Sequence, residues 1–322
     1  MGSKKVLKNQ QENGEIDILF SSDPNFFYIT KRSIDGCFLV KEKGKIKVFA
    51  VKMNYELAKK LFKNVRLWKK DTIKKLVYKK VVGLNYQTIN AKLIKRVERY
   101  AKETIDISDE LLKRRAMKKS QEVSLIRRGV KETLDIIHSI EIKEGMCEKD
   151  IEKQLLVETY ERGLKPAFEP IVSTYGTSKF PHYKPSNKRI KDHVLIDYGV
   201  KIKGYASDVT EMIFLKKSSI ENIYNKVKEA FYEIIDKIDW NMRGKDVDRI
   251  YKEVFKRLKL KRMPHLIGHG VGLEVHEKPF LTPNSDDKIR NAVLAIEPAQ
   301  YMSKYGVRFE REIFIGKKVK VL

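Results

Sequence analysis

From residue 16 the chain alternates short apolar runs with stretches of helical period: IDILF, FFYIT and CFLVKEKGKIKVFAV, then NYELAKKLFKN, KKVVGLN and QTINAKLIKRVE. The run at 37–51 has two alternating halves around Gly44, which predicts a β-hairpin. Strands then alternate with helices, as in a small α/β domain. The period changes at LLKRRAMKKSQEVSLIRRGVKETLDIIHSIEI, where Val123, Ile126, Val130, Leu134 and Ile137 recur at three-to-four spacing and predict one long amphipathic helix. This change puts a domain boundary near 105–118, and we divide the chain into 1–112 and 113–322.

The second region repeats its own plan. EVSLIRRGVKETLDIIHSIEIKEGMCEKDIEKQLLVETYERGLK and IENIYNKVKEAFYEIIDKIDWNMRGKDVDRIYKEVFKRLKL each read as helix, short turn with glycine (Gly145, Gly244) and acidic-rich second helix. Each is followed by a histidine-bearing segment and then a hairpin. A duplicated half-domain is the economical reading.

The two hairpins carry the chemistry. HVLIDYGVKIKGYASDVTEMIFL sets Asp197 and Asp208 inside apolar runs, and AVLAIEPAQYMSKYGVRFEREIFI has Glu297 and Glu310 in corresponding places. An ionised carboxylate is almost never buried unless it is paired or holds a metal. Folding the first hairpin about Ile202-Lys203 sets Asp197 opposite Asp208. Folding the second about Ser303-Lys304 sets Glu297 opposite Glu310. Gly204 and Gly306, just past the turn centres, are places where a bulge would shift the register by one. Directly opposed Cβ atoms lie about 5 Å apart, close to the ~3.5–4 Å between ions in a two-metal hydrolytic centre. Without metal, four such carboxylates repel one another and raise each other's pKa. PHLIGHGVGLEVHEKP adds His269 in a glycine-flanked turn and His276 seven residues on, while KFPHYKPS adds His182 between two prolines. His138, His193 and His265 are read as surface or packing residues.

The totals set limits on the rest. At 322 residues, with 42% hydrophobic and 34% charged residues, the chain is long enough for two domains with separate cores. No apolar run approaches the roughly 18 residues of a membrane span. The opening MGSKKVLKNQQENGEID lacks a signal-peptide core, so the expected location is cytoplasmic. Cys37 and Cys147 have neither CxxC nor CxH spacing and imply no disulfide framework or thiolate metal site. The net charge of +25 is uneven, with 30 Lys and Arg against 13 Asp and Glu in residues 1–120. Solvated lysines account for such an excess; a nucleic-acid or acidic-partner surface is the other reading.

At LIDYG, GYASDVT, GHGVGLEVHE, IEP and GVRFE the chain resembles the pita-bread metallopeptidases, the fold shared by methionine aminopeptidases, aminopeptidase P, prolidases and creatinase. DILFSSDPNFFYIT and RRAMKKSQEVSLIRRG resemble the N-terminal domain and linker helix of the prolidase and aminopeptidase P branch. The resemblance implies an α+β chain: a C-terminal pita-bread domain with an internal pseudo-two-fold repeat, after a smaller creatinase-type α/β domain. It implies metal ligands Asp197, Asp208, His269, Glu297 and Glu310. Asp208 and Glu310 would bridge two divalent ions, with Mn, Co or Fe suited to the oxygen-rich set and Zn possible. A metal-bridging water or hydroxide would attack an Xaa-Pro bond. Glu297 would move its proton, His276 would polarise the scissile carbonyl, and His182 would orient substrate. Arg308 matches an arginine of the family's R-x-E pattern, as a substrate contact or as a salt bridge to a ligand. Relatives of this kind are often homodimers.

Several positions depart from the pattern. Ala299 replaces the glycine of IEPG, Arg311 the acidic residue of RIED, and Glu211 the arginine of SD-x-T-R-T. Phe280 stands where prolidases commonly carry an arginine for the dipeptide's carboxylate. The expected function is Xaa-Pro dipeptide hydrolysis, with aminopeptidase P-like cleavage of longer peptides left open. Methionine aminopeptidase activity is weighed against it and disfavoured by the N-terminal domain. A non-catalytic protein binding nucleic acid or an acidic partner is the reading from another class.

Overall fold

The computed structural model describes residues 15–322. Residues 1–14, read above as lacking a signal-peptide core, lie outside the described residues. The described residues form two compact units, divided between Arg114 and Arg115. Among the described residues, no helix is long and apolar enough to cross a membrane.

The first unit is a six-stranded sheet in the order Val65–Leu67, Lys45–Ala50, Cys37–Glu42, Ile16–Phe20, Val81–Leu84, Glu103–Asp106. The three inner strands nearest the hairpin are antiparallel, and the outer pairings are parallel. Lys43 and Gly44 turn the predicted hairpin with φ of 48° and 74°, the pair of left-handed residues that matches strand twist. Helices Thr72–Val77 and Ala91–Glu98 close one face over Phe38, Phe49 and Val82. Leu19, Phe26, Leu39 and Ala58 form a second cluster.

The second unit carries the duplicated plan. Helices Ser120–Ser139 and Glu148–Glu161 precede strands Ile171–Ser173, His193–Tyr198 and Val209–Phe214. Helices Ser219–Lys237 and Gly244–Arg257 precede Gly268–Gly270, Val293–Ile296 and Arg311–Ile315. In each half the second of these strands lies between the other two, and all four pairings are antiparallel. The second helices start alike: Cys147 caps with Asp150 and bridges Arg189, while Arg243 caps with Asp246 and bridges Lys288. Two clusters, one around Ile196 and Tyr198 and one around Phe231 and Ile296, form the apolar interior. Each large side chain buried there contributes about 1.5–3 kcal/mol.

The buried face of Ser120–Ser139 is rotated slightly from the apolar stripe. Thr133 and Ile136 are buried while Leu134 is half-buried. The cause is close packing against the first hairpin. A Cβ on Gly129 would sit 3.1 Å from the Ser207 Cβ, and Thr133 Oγ1 and Ser207 Oγ share a hydrogen bond of 2.8 Å. This contact fixes the residue immediately before Asp208.

Candidate metal centre

The first hairpin turns one residue later than its sequence suggests. Lys203 and Gly204 both have positive φ, 47° and 88°, and Ile202 pairs with Tyr205. Asp197 therefore faces Thr210, not Asp208. Asp208 lies two residues before Thr210 on the same side, within diagonal reach of Asp197. The lysine in the left-handed region is what the apolar pattern did not reveal. The second hairpin follows its expected register: Ala299 pairs with Arg308 and Ile296 with Arg311. Continuing that register sets Glu297 against Glu310.

The two hairpins meet at Thr210, which bridges Glu310. Its Oγ1 donates to Glu310 Oε2 at 2.6 Å and accepts from Arg308 Nε at 2.9 Å. Arg308 Nη2 is paired with Asp197 Oδ2, and Nη1 reaches Pro181 O at 3.4 Å and the Tyr301 hydroxyl at 3.3 Å. All three nitrogens of this buried guanidinium are thus engaged by the protein, so the salt-bridge reading of Arg308 is the one its geometry supports. Asp197 Oδ1 is buried with no hydrogen-bond partner.

His269 enters from strand Gly268–Gly270. The flanking glycines are needed for space: a Cβ on Gly268 would lie 1.9 Å from Ala295 O, and one on Gly270 would lie 2.5 Å from Lys278 C. His269 Nδ1 is 3.3 Å from its neighbour's carbonyl, Gly270 O, which can only accept. That contact places the proton on Nδ1 and leaves Nε2 as a donor of electrons, 3.6 Å from Asp208 Oδ2 and 3.9 Å from Glu297 Oε1. Burial, then His276, pushes the His269 pKa down to about 3, so the ring is neutral.

Three overlapping groups have donor atoms within 4.8 Å of one another: Asp208, His269 and His276; His269, Glu297 and Glu310; Asp197, Asp208 and Glu310. Burial and their mutual repulsion raise the pKa values of Asp208 and Glu297 well above the carboxylate range, and push Glu310 to about 7. Asp197 is also raised by burial, against the pull of Arg308. The mutual elevation expected of four clustered carboxylates is present.

All five candidate ligands line one cavity of about 610 Å³, together with His182, His276 and Arg308. The His276 ring stands edge-on to His269 at 4.1 Å. His182 comes from a loop held at a distance by Glu148, a fully buried side chain at the start of Glu148–Glu161. Its Oε1 accepts from Thr177 Oγ1 at 2.5 Å, and its Oε2 accepts from Ser186 N and Oγ at 3.1 and 2.9 Å. Phe280 is not in the cavity lining; it pairs with His269 in the strand ladder.

Some relevant residues escape a reading of the sequence. Thr210 closes the GYASDVT motif without a role of its own being marked there, and Glu148 and Glu312 lie in helical or apolar stretches with no motif of their own. Glu312 is fully buried, and its Oε1 accepts from Asp208 N at 2.7 Å. His265, read as structural, places Nδ1 3.6 Å from Glu297 Oε2 and Nε2 2.9 Å from the Tyr301 hydroxyl. His193 is buried against Ser178, and His138 lies exposed on its helix.

Fold and site together define a metallopeptidase. The chain belongs to metallopeptidase family M24, whose profile matches residues 115–317. An uncharacterised peptidase of Methanocaldococcus jannaschii is 32% identical over 225 residues, spanning 66% of this chain and 64% of that relative. The Xaa-Pro dipeptidase of Pyrococcus horikoshii is 29% identical over 334 residues, covering 98% of this chain and 94% of its own. Among solved structures, the prolidase of Pyrococcus horikoshii superposes with a TM-score of 0.88 at 26% identity, over 96% of this chain and 93% of the other. The prolidase of Pyrococcus furiosus does so with 0.87 at 25% identity, over 95% of each. The fold is that of these enzymes, pita-bread domain included.

Proposed function

We propose that this chain hydrolyses Xaa-Pro peptide bonds with two divalent metal ions held by Asp197, Asp208, His269, Glu297 and Glu310. The observation that carries the reading is the convergence of three buried carboxylates and the part-buried Glu297 on one cavity that the Arg308 guanidinium also lines, leaving Asp197 Oδ1 without a partner. Such a cluster fits cations: each raised carboxylate has an acceptor to offer, and His269 offers a neutral Nε2. An oxygen-rich set with one imidazole suits Mn²⁺, Fe²⁺ or Co²⁺, and admits Zn²⁺. When bound, the ions would lower the pKa of a water so that it attacks a carbonyl at neutral pH.

The remaining chemistry belongs to the side chains. Glu297 accepts the proton of the attacking water and hands it to the leaving proline nitrogen. His276 borders the cavity, exposed on one side, and its pKa is lowered by partial desolvation at the cavity wall and then by His182. It is a neutral donor to the oxygen of the scissile carbonyl. His182, on its tethered loop, orients the substrate. Proline at the second position rests on the relatives named Xaa-Pro dipeptidase and prolidase.

A second reading, cleavage of longer Xaa-Pro-Xaa peptides, is favoured by one feature. The cavity of about 610 Å³ is lined not only by the candidate ligands but also by Phe168, Glu169, Tyr183 and Lys184, residues that a longer peptide would contact. Release of free methionine from Met-Pro and from Met-Pro-Ala, with Met-Ala as the control, tests both. Turnover of the proline peptides alone supports the assignment, and the tripeptide's share decides between the readings. Equal turnover of Met-Ala, or none of any, would overturn it.

A further inference from the structure

Hydrolysis leaves the positive charge of the first unit unexplained. Residues 69–102 hold eleven Lys and Arg against two Asp and Glu. They include helices Thr72–Val77 and Ala91–Glu98, whose Ile73, Val77 and Val97 share one apolar cluster, so their outward positions form one surface. Among the described residues, Lys80 alone of the eleven is in an ion pair, with Glu42. A lysine-rich composition does not by itself give this result. In the second unit many surface cations are matched, as Arg162 is with Glu158, Lys245 with Asp286 and Arg257 with Glu233.

The unmatched cations surround apolar surface. A groove of about 860 Å³ runs along Ala91–Glu98, with Lys92, Lys95, Arg96 and Arg99 on its walls and Leu93 and Tyr100 beside them. Lys74 stands 5.3 Å from the Tyr100 ring, and Lys79 the same distance from Tyr78, which is 56% exposed. An acidic peptide would use the cations and leave the rings idle. A phosphodiester strand with unpaired bases uses both, phosphates on Lys and Arg and bases on the rings.

We propose that this face binds single-stranded nucleic acid through its phosphate backbone. The test is fluorescence anisotropy of a labelled oligouridylate with the full-length protein across a salt series. The variant Lys92→Gln/Lys95→Gln/Arg99→Gln is compared with Lys317→Gln/Lys318→Gln/Lys320→Gln, which removes the same charge from exposed positions of the second unit. The groove variant is expected to lose about tenfold or more in affinity, and its log K against log salt slope to become shallower by about 2, at ~0.7 per phosphate contact. The control stays within about twofold, and both retain peptidase activity. Absence of binding at low salt, or equal losses in the two variants, would overturn the proposal. So would preferential binding of polyglutamate or of phosphatidylserine vesicles.

Discussion

Arg311 and Glu211 form an ion pair beside the candidate ligand Glu310, and Arg311 also donates to the carbonyls of Thr210 at 2.9 Å and Glu310 at 2.7 Å. In sequence these two residues are separate departures from the family pattern, an arginine replaced by Glu211 and an acidic residue by Arg311. In the fold they are two ends of one contact with its charges exchanged. The positive charge that Arg311 adds next to a ligand is thus neutralised locally.

The exchange predicts a reciprocal rescue. Glu211→Arg alone sets two guanidiniums together in a mostly buried place and should cost about 3 kcal/mol or more of stability. The double variant Glu211→Arg/Arg311→Asp should recover most of that loss in urea unfolding. Additive losses would mean that the pair does not couple the strands.

Glu312 is expected to act through Asp208. Glu312→Ala removes the acceptor that fixes the Asp208 backbone and should weaken metal binding about 10- to 100-fold, as losses around ligands typically do. Glu312→Gln keeps an amide oxygen for the same bond and should stay near the parent. Metal titration of both variants checks this, and equal affinities for Ala and Gln would contradict it.

Glu148 should separate substrate binding from metal binding. Glu148→Ala frees both ends of the loop carrying His182, at a cost of about 1–3 kcal/mol for each group left unsatisfied. KM should rise several-fold while metal stoichiometry stays unchanged. A loss of metal in parallel with activity would assign Glu148 to the centre itself.

The metal-free protein should lose stability as pH rises above about 6.5. Asp208, Glu297 and Glu310 have pKa values raised by folding, Glu310 to about 7, so the folded state holds protons that the unfolded state has released. Stability from such groups is complete below the unfolded pKa and disappears as pH passes the folded one. His269 and His265, lowered to about 3 and 4 chiefly by burial, act oppositely, but only as pH falls below their unfolded value near 6.5. From pH 6.5 to 8.5 the carboxylates therefore dominate. The Tm of chelated protein should fall over that range, and added Mn²⁺ should restore it most at the alkaline end. A Tm flat or rising with pH would contradict the clustered-carboxylate account.

Much of the site was legible because its constraints are local. Burial of charge marked Asp197, Asp208, Glu297 and Glu310, and flanking glycines marked His269; all five line one cavity. The second hairpin's register followed from its turn, whereas the first was displaced because Lys203 adopts a left-handed conformation that composition favours in glycine or asparagine. Thr210, Glu148, Glu312 and His265 were not legible. Their roles come from contacts 29 to 104 residues apart in sequence or from a loop's path, as with Thr177–Glu148 and Asp208–Glu312. The rotation of the Ser120–Ser139 face likewise depends on Gly129 meeting Ser207, a tertiary contact that no helical period encodes.

The most direct test of the central claim is the metal content of the purified chain after Mn²⁺ loading and removal of excess, measured by elemental analysis alongside Met-Pro turnover. The account predicts about two ions per chain, in keeping with a two-metal site. It also predicts loss of ions and turnover together in Asp208→Asn and Glu310→Gln. Full turnover in a chain stripped of metal, or unchanged metal content in both variants, would contradict it.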